Sequence, residues 1–244
     1  VEISGHIMKL SGILKEQFSM GGKIKIEEFY FKPKRPSNTI RTYTLQQIKS
    51  FEELIKNKKG LYYYDTDMWL YQALQKYSIK DKDVIIIGSE KPWYETMACV
   101  YSGKGCSCLE YNKRICAYDK IKYYQYNSYN SLPKFDVCIS ISSIEHSGLG
   151  RYGDNISPMG DIRAMQDVKN ILKKDGLFFL AVPIGEDRVM WNAHRVYGKM
   201  RLKLLLDGWE CVDTYGMSDE LLVSSRNSFA TVQPVLVLKN KGII

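Results

Sequence analysis

Residues 135–154 read FDVCISISSIEHSGLGRYGD. Phe135, Val137, Ile139 and Ile141 alternate with Asp136, Cys138, Ser140 and Ser142, the period of two that marks a strand. Directly after it come Glu145, His146, Arg151, Tyr152 and Asp154. A strand that delivers an acid, an imidazole and a guanidinium to its C-terminal end is how open α/β enzymes assemble sites. The chain has 3 histidines, and two of them, His146 and His194, follow predicted strands.

Upstream of this stretch, DVIIIGS at 83–89 is a short apolar run closed by glycine, as expected of a buried parallel strand. PWYETMACVYSG then predicts a helix, with Pro92 in its first turn and Gly103 at its end. GCSCLEYN at 105–112 predicts the next strand and KYYQYN at 122–127 a weaker one. Downstream, residues 158–176 predict a helix, LFFLAVPIG at 177–185 a strand and MRLKLLLDG at 200–208 a helix. WECVDTYG and TVQPVLVLKN predict two closing strands, with an antiparallel pair at the sheet edge. Alternating strands and helices argue for a mostly parallel sheet covered on both faces.

Residues 1–80 lack this rhythm. KPKRPSN at 32–38 predicts a loop, 44–57 a helix, and 66–78 a second helix capped by Asp65 or Thr66. The expected division is a helical extension over 1–80 and an α/β domain over 81–244.

The chain has 244 residues and a net charge of +8, from 35 basic and 27 acidic side chains. The lysines are scattered, with small clusters at 32–35 and 56–59, so solvated faces are expected rather than a nucleic-acid groove. No apolar run reaches the ~18 residues a membrane-spanning helix needs. Cys106 and Cys108 are two apart and face one side of a strand, unlike a zinc knuckle. Buried free thiols fit a reducing, cytoplasmic setting.

Three constellations could carry chemistry. In the first, Gly88 lets a ligand approach the backbone, and Glu110, ending the next strand, stands at the distance from which an acid typically binds ribose hydroxyls. Trp93 and Tyr94 either stack on an adenine there or belong to the core. In the second, Glu145 and His146 are candidate bases, His146 first because imidazole titrates near neutrality. Arg151 and Asp154 either orient a substrate or pair with each other. In the third, Trp191, Asn192, His194, Arg195 and Tyr197 form a polar aromatic loop suited to a polyhydroxylated ligand, or else the start of a helix packed on the sheet. Glu145, His146, Asp154, Asp161 and His194 also offer mixed donors for a divalent ion, without diagnostic spacing.

The segments IGSEKPWYE, CLEYN, FDVCISISSIEHSGLGRYGD, PMGDIRAM, LKKDGLFFLAVPIGED and WNAHRVYGKMRL closely resemble a family first noted in nematodes and also found in bacteria, catalogued as a domain of unknown function. The resemblance spans roughly residues 80–215. That family is similar to class I S-adenosylmethionine-dependent methyltransferases, a Rossmann-like fold with a seven-stranded, mostly parallel sheet and an antiparallel C-terminal strand. The resemblance implies that Gly88, Ser89, Trp93, Glu110, Tyr111, Ser142 and Ser143 bind S-adenosylmethionine. It implies His146, Glu145 and His194 as catalytic groups, and Arg151, Tyr152, Asp154, Asn192, Arg195 and Tyr197 as the acceptor site. The bacterial members' association with surface-polysaccharide glycosyltransferases implies O-methylation of a sugar hydroxyl, with a glycan and a glycosyltransferase as partners. The usual glycine-rich loop is reduced here to Gly88-Ser89. A metal-assisted sugar-modifying enzyme, or a non-catalytic glycan or nucleotide-sugar binding module, are the alternatives.

Overall fold

The computed structural model describes residues 2–4, 7–10, 12–28, 40–226 and 231–242. The loop expected at 32–38 lies outside them. Two short strands, β1 (Glu2–Ser4) and β2 (Ile7–Lys9), form an antiparallel pair. Helix α1 (Gly12–Phe18), strand β3 (Lys25–Glu27) and strand β4 (Arg41–Tyr43) follow. Next come helices α2 (Leu45–Lys56) and α3 (Tyr64–Lys76), then β5 (Val84–Ile87) and α4 (Trp93–Ser102). The chain continues through β6 (Cys106–Glu110), β7 (Arg114–Cys116), β8 (Ile121–Gln125) and β9 (Phe135–Ile141). The last third holds α5 (Gly160–Ile171), β10 (Leu172–Ala181), β11 (Arg188–Met190), β12 (His194–Val196), α6 (Lys199–Leu205), β13 (Glu210–Tyr215) and β14 (Val235–Lys239).

The main sheet has seven strands in the order β13-β14-β10-β9-β5-β6-β8. Pairing is parallel from β10 through β9, β5 and β6 to β8, and β14 runs antiparallel to both β10 and β13. This is the Rossmann-like class I methyltransferase architecture. The two closing strands form the antiparallel pair expected at the sheet edge: β14 lies between β10 and the outermost strand β13. Its residues Val235 to Leu238 are apolar and buried on both faces, which suits an interior strand. The edge strand β13, ECVDTY, carries more polar groups and no fully buried residue.

The two faces are read directly from strand alternation. Val84, Ile86, Val137 and Ile139 face one core, which α2, α3 and α4 complete with Ile48, Leu70, Leu74 and Met97. Ile85, Cys138, Phe178 and Leu180 face the other, closed by Met165 and Val168 of α5 and Leu202 and Leu205 of α6. Residues 45–76 therefore share one continuous core with the sheet.

Helix α2 starts as its sequence suggests. Thr44 Oγ1 accepts from the Gln47 N–H at 3.2 Å, and Gln47 Oε1 accepts from the Thr44 N–H at 2.9 Å, a capping box. Helix α3 differs. It begins at Tyr64, so Asp65 and Thr66 lie within its first turn and no side chain caps it. Helix α5 ends at Ile171 and strand β10 begins at Leu172, five residues earlier than 177, with a register shift between Leu172 and Leu177. The residues across this shift include the polar Lys173, Lys174 and Asp175, which hid the early strand start, and Asp175 adopts φ +63.

The segment after β10 is neither a plain loop nor a helix start. It is the β11–β12 hairpin, joined by Trp191, Asn192 and Ala193, with Asn192 at φ +52, a left-handed position asparagine tolerates. Strand β3 adds to it in parallel through Ile26↔Val189. Trp191 is fully buried, edge-on to Phe18 at 5.1 Å, in a small core with Leu10, Ile24 and Leu149. Its ring is therefore part of this core and does not face a ligand.

Candidate active site

A cavity of about 810 Å³ opens at the C-terminal ends of β5, β6 and β9. It lies in the size range of small-molecule sites. Three groups of residues build it.

The first is the turn after β5. Gly88 sits at φ +68, and a Cβ there would lie 2.0 Å from Ser143 Oγ. The absence of a side chain lets the β5 and β9 loops touch. Glu110 ends β6; its Oε1 accepts from the Ser89 N–H at 2.5 Å, and its Oε2 stands 3.6 Å from Arg114 Nη2. Burial pushes this carboxyl upward from its usual range. Tyr111 lines the cavity beside it, stacked on Tyr126 with ring centroids 4.6 Å apart. Behind the turn, fully buried Glu95 accepts from Ser89 Oγ at 2.9 Å and from the Tyr123 hydroxyl at 3.1 Å, and burial raises it to about 7.

The second group follows β9. Ser142 occupies φ +52, and its hydroxyl donates to Glu145 Oε1 at 2.8 Å. Glu145 is 1% exposed, and its Oε2 has no partner among the described residues. Burial raises its pKa to about 7, against the lowering effect of the Ser142 hydrogen bond and of Arg151 and Arg195. His146 Nδ1 lies 2.5 Å from the Ala193 carbonyl, and its Nε2 3.6 Å from Glu145 Oε1. Burial and the Arg151 charge push this imidazole down to about 3. Arg151 donates to the same Ala193 carbonyl at 3.2 Å and lies 5.3 Å over the Tyr152 ring.

The third group comes from chain segments far from these motifs. Tyr63 donates to Ser142 Oγ at 3.1 Å, and Gln233 Nε2 does so at 3.3 Å. Gln233 Oε1 is buried and without a partner among the described residues. Segment 61–63 is fixed by Asp67. That buried carboxylate accepts from the Leu61 N–H at 2.8 Å, the Tyr62 N–H at 3.3 Å, Trp93 Nε1 at 3.2 Å and the Tyr94 hydroxyl at 3.1 Å.

The fold brings Gly88, Ser89, Glu110 and Tyr111 to the cavity wall with Ser142, Ser143, Glu145 and His146. Arg151, Tyr152, Asp154 and His194 line it too. Four expected residues do not line it. Trp93 is a core residue, edge-on to Phe51 at 5.7 Å. Tyr197 is buried, donating to Asp161 at 3.0 Å. Arg195 is 1% exposed and donates to the carbonyls of Glu145, Ser147, Ser157 and Pro158, with Asp161 at 3.6 Å. Asn192 forms the hairpin tip. Asp154 reaches the cavity, and its carboxylate accepts from the N–H groups of Gly148 at 2.7 Å, Gly150 at 3.2 Å and Tyr152 at 3.2 Å. It shapes its own loop.

Sequence reasoning missed Tyr63 and Gln233. The run of three tyrosines at 62–64, outside any strand pattern, was the available signal for the first. Gln233 had none. Among the described residues no group of three or more His, Cys, Asp and Glu is arranged to hold a metal ion. Asp161 is committed to Arg201, Arg195 and Tyr197, and Asp154 to backbone. All six cysteines are free. Among the described residues no helix is long and apolar enough to cross a membrane.

The sheet order and the strand-end cavity define a class I methyltransferase-like fold. Within that class the chain belongs to the family described as "Caenorhabditis protein of unknown function, DUF268", whose model matches residues 81–240. No curated protein matches the chain in sequence. Among solved structures, the [4+2]-cyclase SpnF is similar with a TM-score of 0.51 and 8% identity, over 83% of this chain and 97% of that one. A putative SAM-dependent methyltransferase from Streptococcus mutans gives 0.47 and 11%, over 73% of this chain and 49% of that one. An S-adenosylmethionine-dependent methyltransferase from Clostridium acetobutylicum gives 0.47 and 11%, over 81% and 98%. The chain thus spans about half the length of the Streptococcus protein and nearly all of the other two. At these identities the likeness is one of fold.

Proposed function

We propose that the protein is an S-adenosylmethionine-dependent O-methyltransferase that acts on a hydroxyl of a sugar or glycan. One observation carries this reading. Two buried oxygens, Glu145 Oε2 and Gln233 Oε1, belong to residues of the cavity wall and have no donor among the described residues. Buried acceptors without partners are costly. A ligand rich in O–H donors satisfies them.

The donor set fits the cofactor. Glu110 is a strand-end carboxylate able to accept from a ribose diol, Gly88 gives the tight turn, and Tyr111 offers an aromatic face. When bound, S-adenosylmethionine supplies a methyl group on a sulfonium, open to attack by oxygen. Glu145 Oε2 takes the proton of the acceptor hydroxyl, a task suited to a carboxyl poised near 7. The base role expected first of His146 passes to Glu145 in this reading, because His146 stays neutral and weakly basic. Its imidazole, with Arg151 and His194, borders the acceptor. Enclosure of the cavity by segment 61–63 aligns the reactants, from which most of the acceleration derives.

Incubation with methyl-labelled S-adenosylmethionine and a panel of sugar acceptors tests this. Label transfer to a hydroxyl is expected, with at least ~100-fold loss in Glu145→Gln and unchanged cofactor affinity. Undiminished transfer in Glu145→Gln removes the base assignment. Cofactor affinity without transfer to any acceptor favours a binding module.

A further inference from the structure

Ser142 is a non-glycine residue at φ +52, where a side chain carries a steric cost that glycine avoids. The cost is coupled to a hydroxyl whose hydrogen-bonding capacity is fully used. A serine hydroxyl has one proton and two acceptor lone pairs. Tyr63 and Gln233 donate to the oxygen, at 3.1 and 3.3 Å, so its proton goes to Glu145 Oε1, at 2.8 Å.

We propose that Ser142 is a positioning residue: held by Tyr63 and Gln233, its hydroxyl locks Glu145 through Oε1 and so leaves Oε2 as the one basic oxygen presented to the acceptor. The proposal rests on the reading of Glu145 as base. It also makes Tyr63, which lies outside the family-matched residues 81–240, a working part of the site. Asp67 supports it by fixing the backbone of residues 61 and 62.

Other groups also face Glu145. Arg151 and Arg195 favour its charged form. His146 Nε2 stands 3.6 Å from Oε1. Tyr152 and, from the hairpin side, Tyr197 interact with it electrostatically. These remain when Ser142 is changed, so a shift on its substitution reports the hydroxyl.

The test is carboxyl NMR of protein labelled with ¹³C-glutamate, with the Glu145 signal assigned by its loss in Glu145→Gln. Loss of a hydrogen bond to the charged form raises a carboxyl pKa. In Ser142→Gly the Glu145 midpoint is expected to rise by about one unit, with the acidic limb of methyl transfer moving up equally. Ser142→Ala shifts it the same way, and Tyr63→Phe by less. Glycine accepts φ +52, so Ser142→Gly keeps its fold even where Ser142→Ala loses stability. An unchanged Glu145 midpoint in both Ser142 variants overturns the proposal. A shifted midpoint with full methyl transfer in Glu145→Gln upholds the positioning and overturns the base instead.

Discussion

The Nδ1 of His146 lies 2.5 Å from the carbonyl oxygen of Ala193. A carbonyl only accepts, so Nδ1 carries the proton and Nε2 is bare. The hairpin tip thereby fixes the tautomer of a ring from the β9 loop. The same carbonyl receives Arg151, so a second cation discourages protonation of this imidazole.

His146 is therefore expected to remain neutral through the physiological range. Its folded pKa, lowered to about 3, lies below the unfolded value near 6.5, so the unfolded chain binds the extra proton between them. Its contribution to stability is complete above about pH 6.5 and declines as pH falls toward 3, at about 1 kcal/mol per pH unit. Comparison of unfolding free energies for the native chain and His146→Gln across this window isolates the effect. Nitrogen-detected NMR at neutral pH is expected to find Nε2 unprotonated; a midpoint near 6.5 contradicts the assignment.

Asp161 is expected to be a structural keystone. It is fully buried, paired with Arg201 and 3.6 Å from Arg195, and it accepts from Tyr197. Asp161→Asn leaves two buried guanidinium groups without their countercharge, a loss of about 3–5 kcal/mol. Chemical denaturation measures it. A change under about 1 kcal/mol would mean that backbone carbonyls alone hold the arginines.

Much of this was legible in the sequence, for reasons that differ by residue. The strands at 84–87 and 135–141 declared themselves because their alternate residues feed two separate cores. That Gly88, Glu110, Glu145 and His146 line one cavity was legible because each lies at or just after the C-terminal end of a parallel strand, and those ends converge on one edge. Arg195, Tyr197 and Trp191 misled, since polar and aromatic residues after a strand look alike whether they meet a ligand or an internal partner. Here the partners were Asp161, 34 residues from Arg195 and 36 from Tyr197, and Phe18, 173 residues from Trp191. Tyr63 and Gln233 were hidden because their relation to Ser142 exists only after the chain closes on itself.

The turn after β5 yields a paired comparison. Gly88 and Gly103 both have positive φ, +68 and +71, but a Cβ at Gly103 meets nothing within 4 Å, whereas one at Gly88 meets Ser143. Gly103→Ala carries the left-handed backbone cost alone, ~1–2 kcal/mol. Gly88→Ala adds a steric clash and pushes apart the loops after β5 and β9. Its thermal midpoint is expected to fall further, with weakened cofactor affinity. Equal midpoints and affinities in the two variants contradict the close approach.

In the proposed function the cavity bounded by Gly88, Glu110 and Ser143 holds S-adenosylmethionine. Titration calorimetry of the full chain with S-adenosylhomocysteine, alongside Glu110→Ala, checks this. The expected result is one site per chain in the native sequence and at least ~10-fold weaker affinity in Glu110→Ala, reflecting lost hydrogen bonds to the ribose. No binding by the native chain, or equal affinity in the variant, contradicts it.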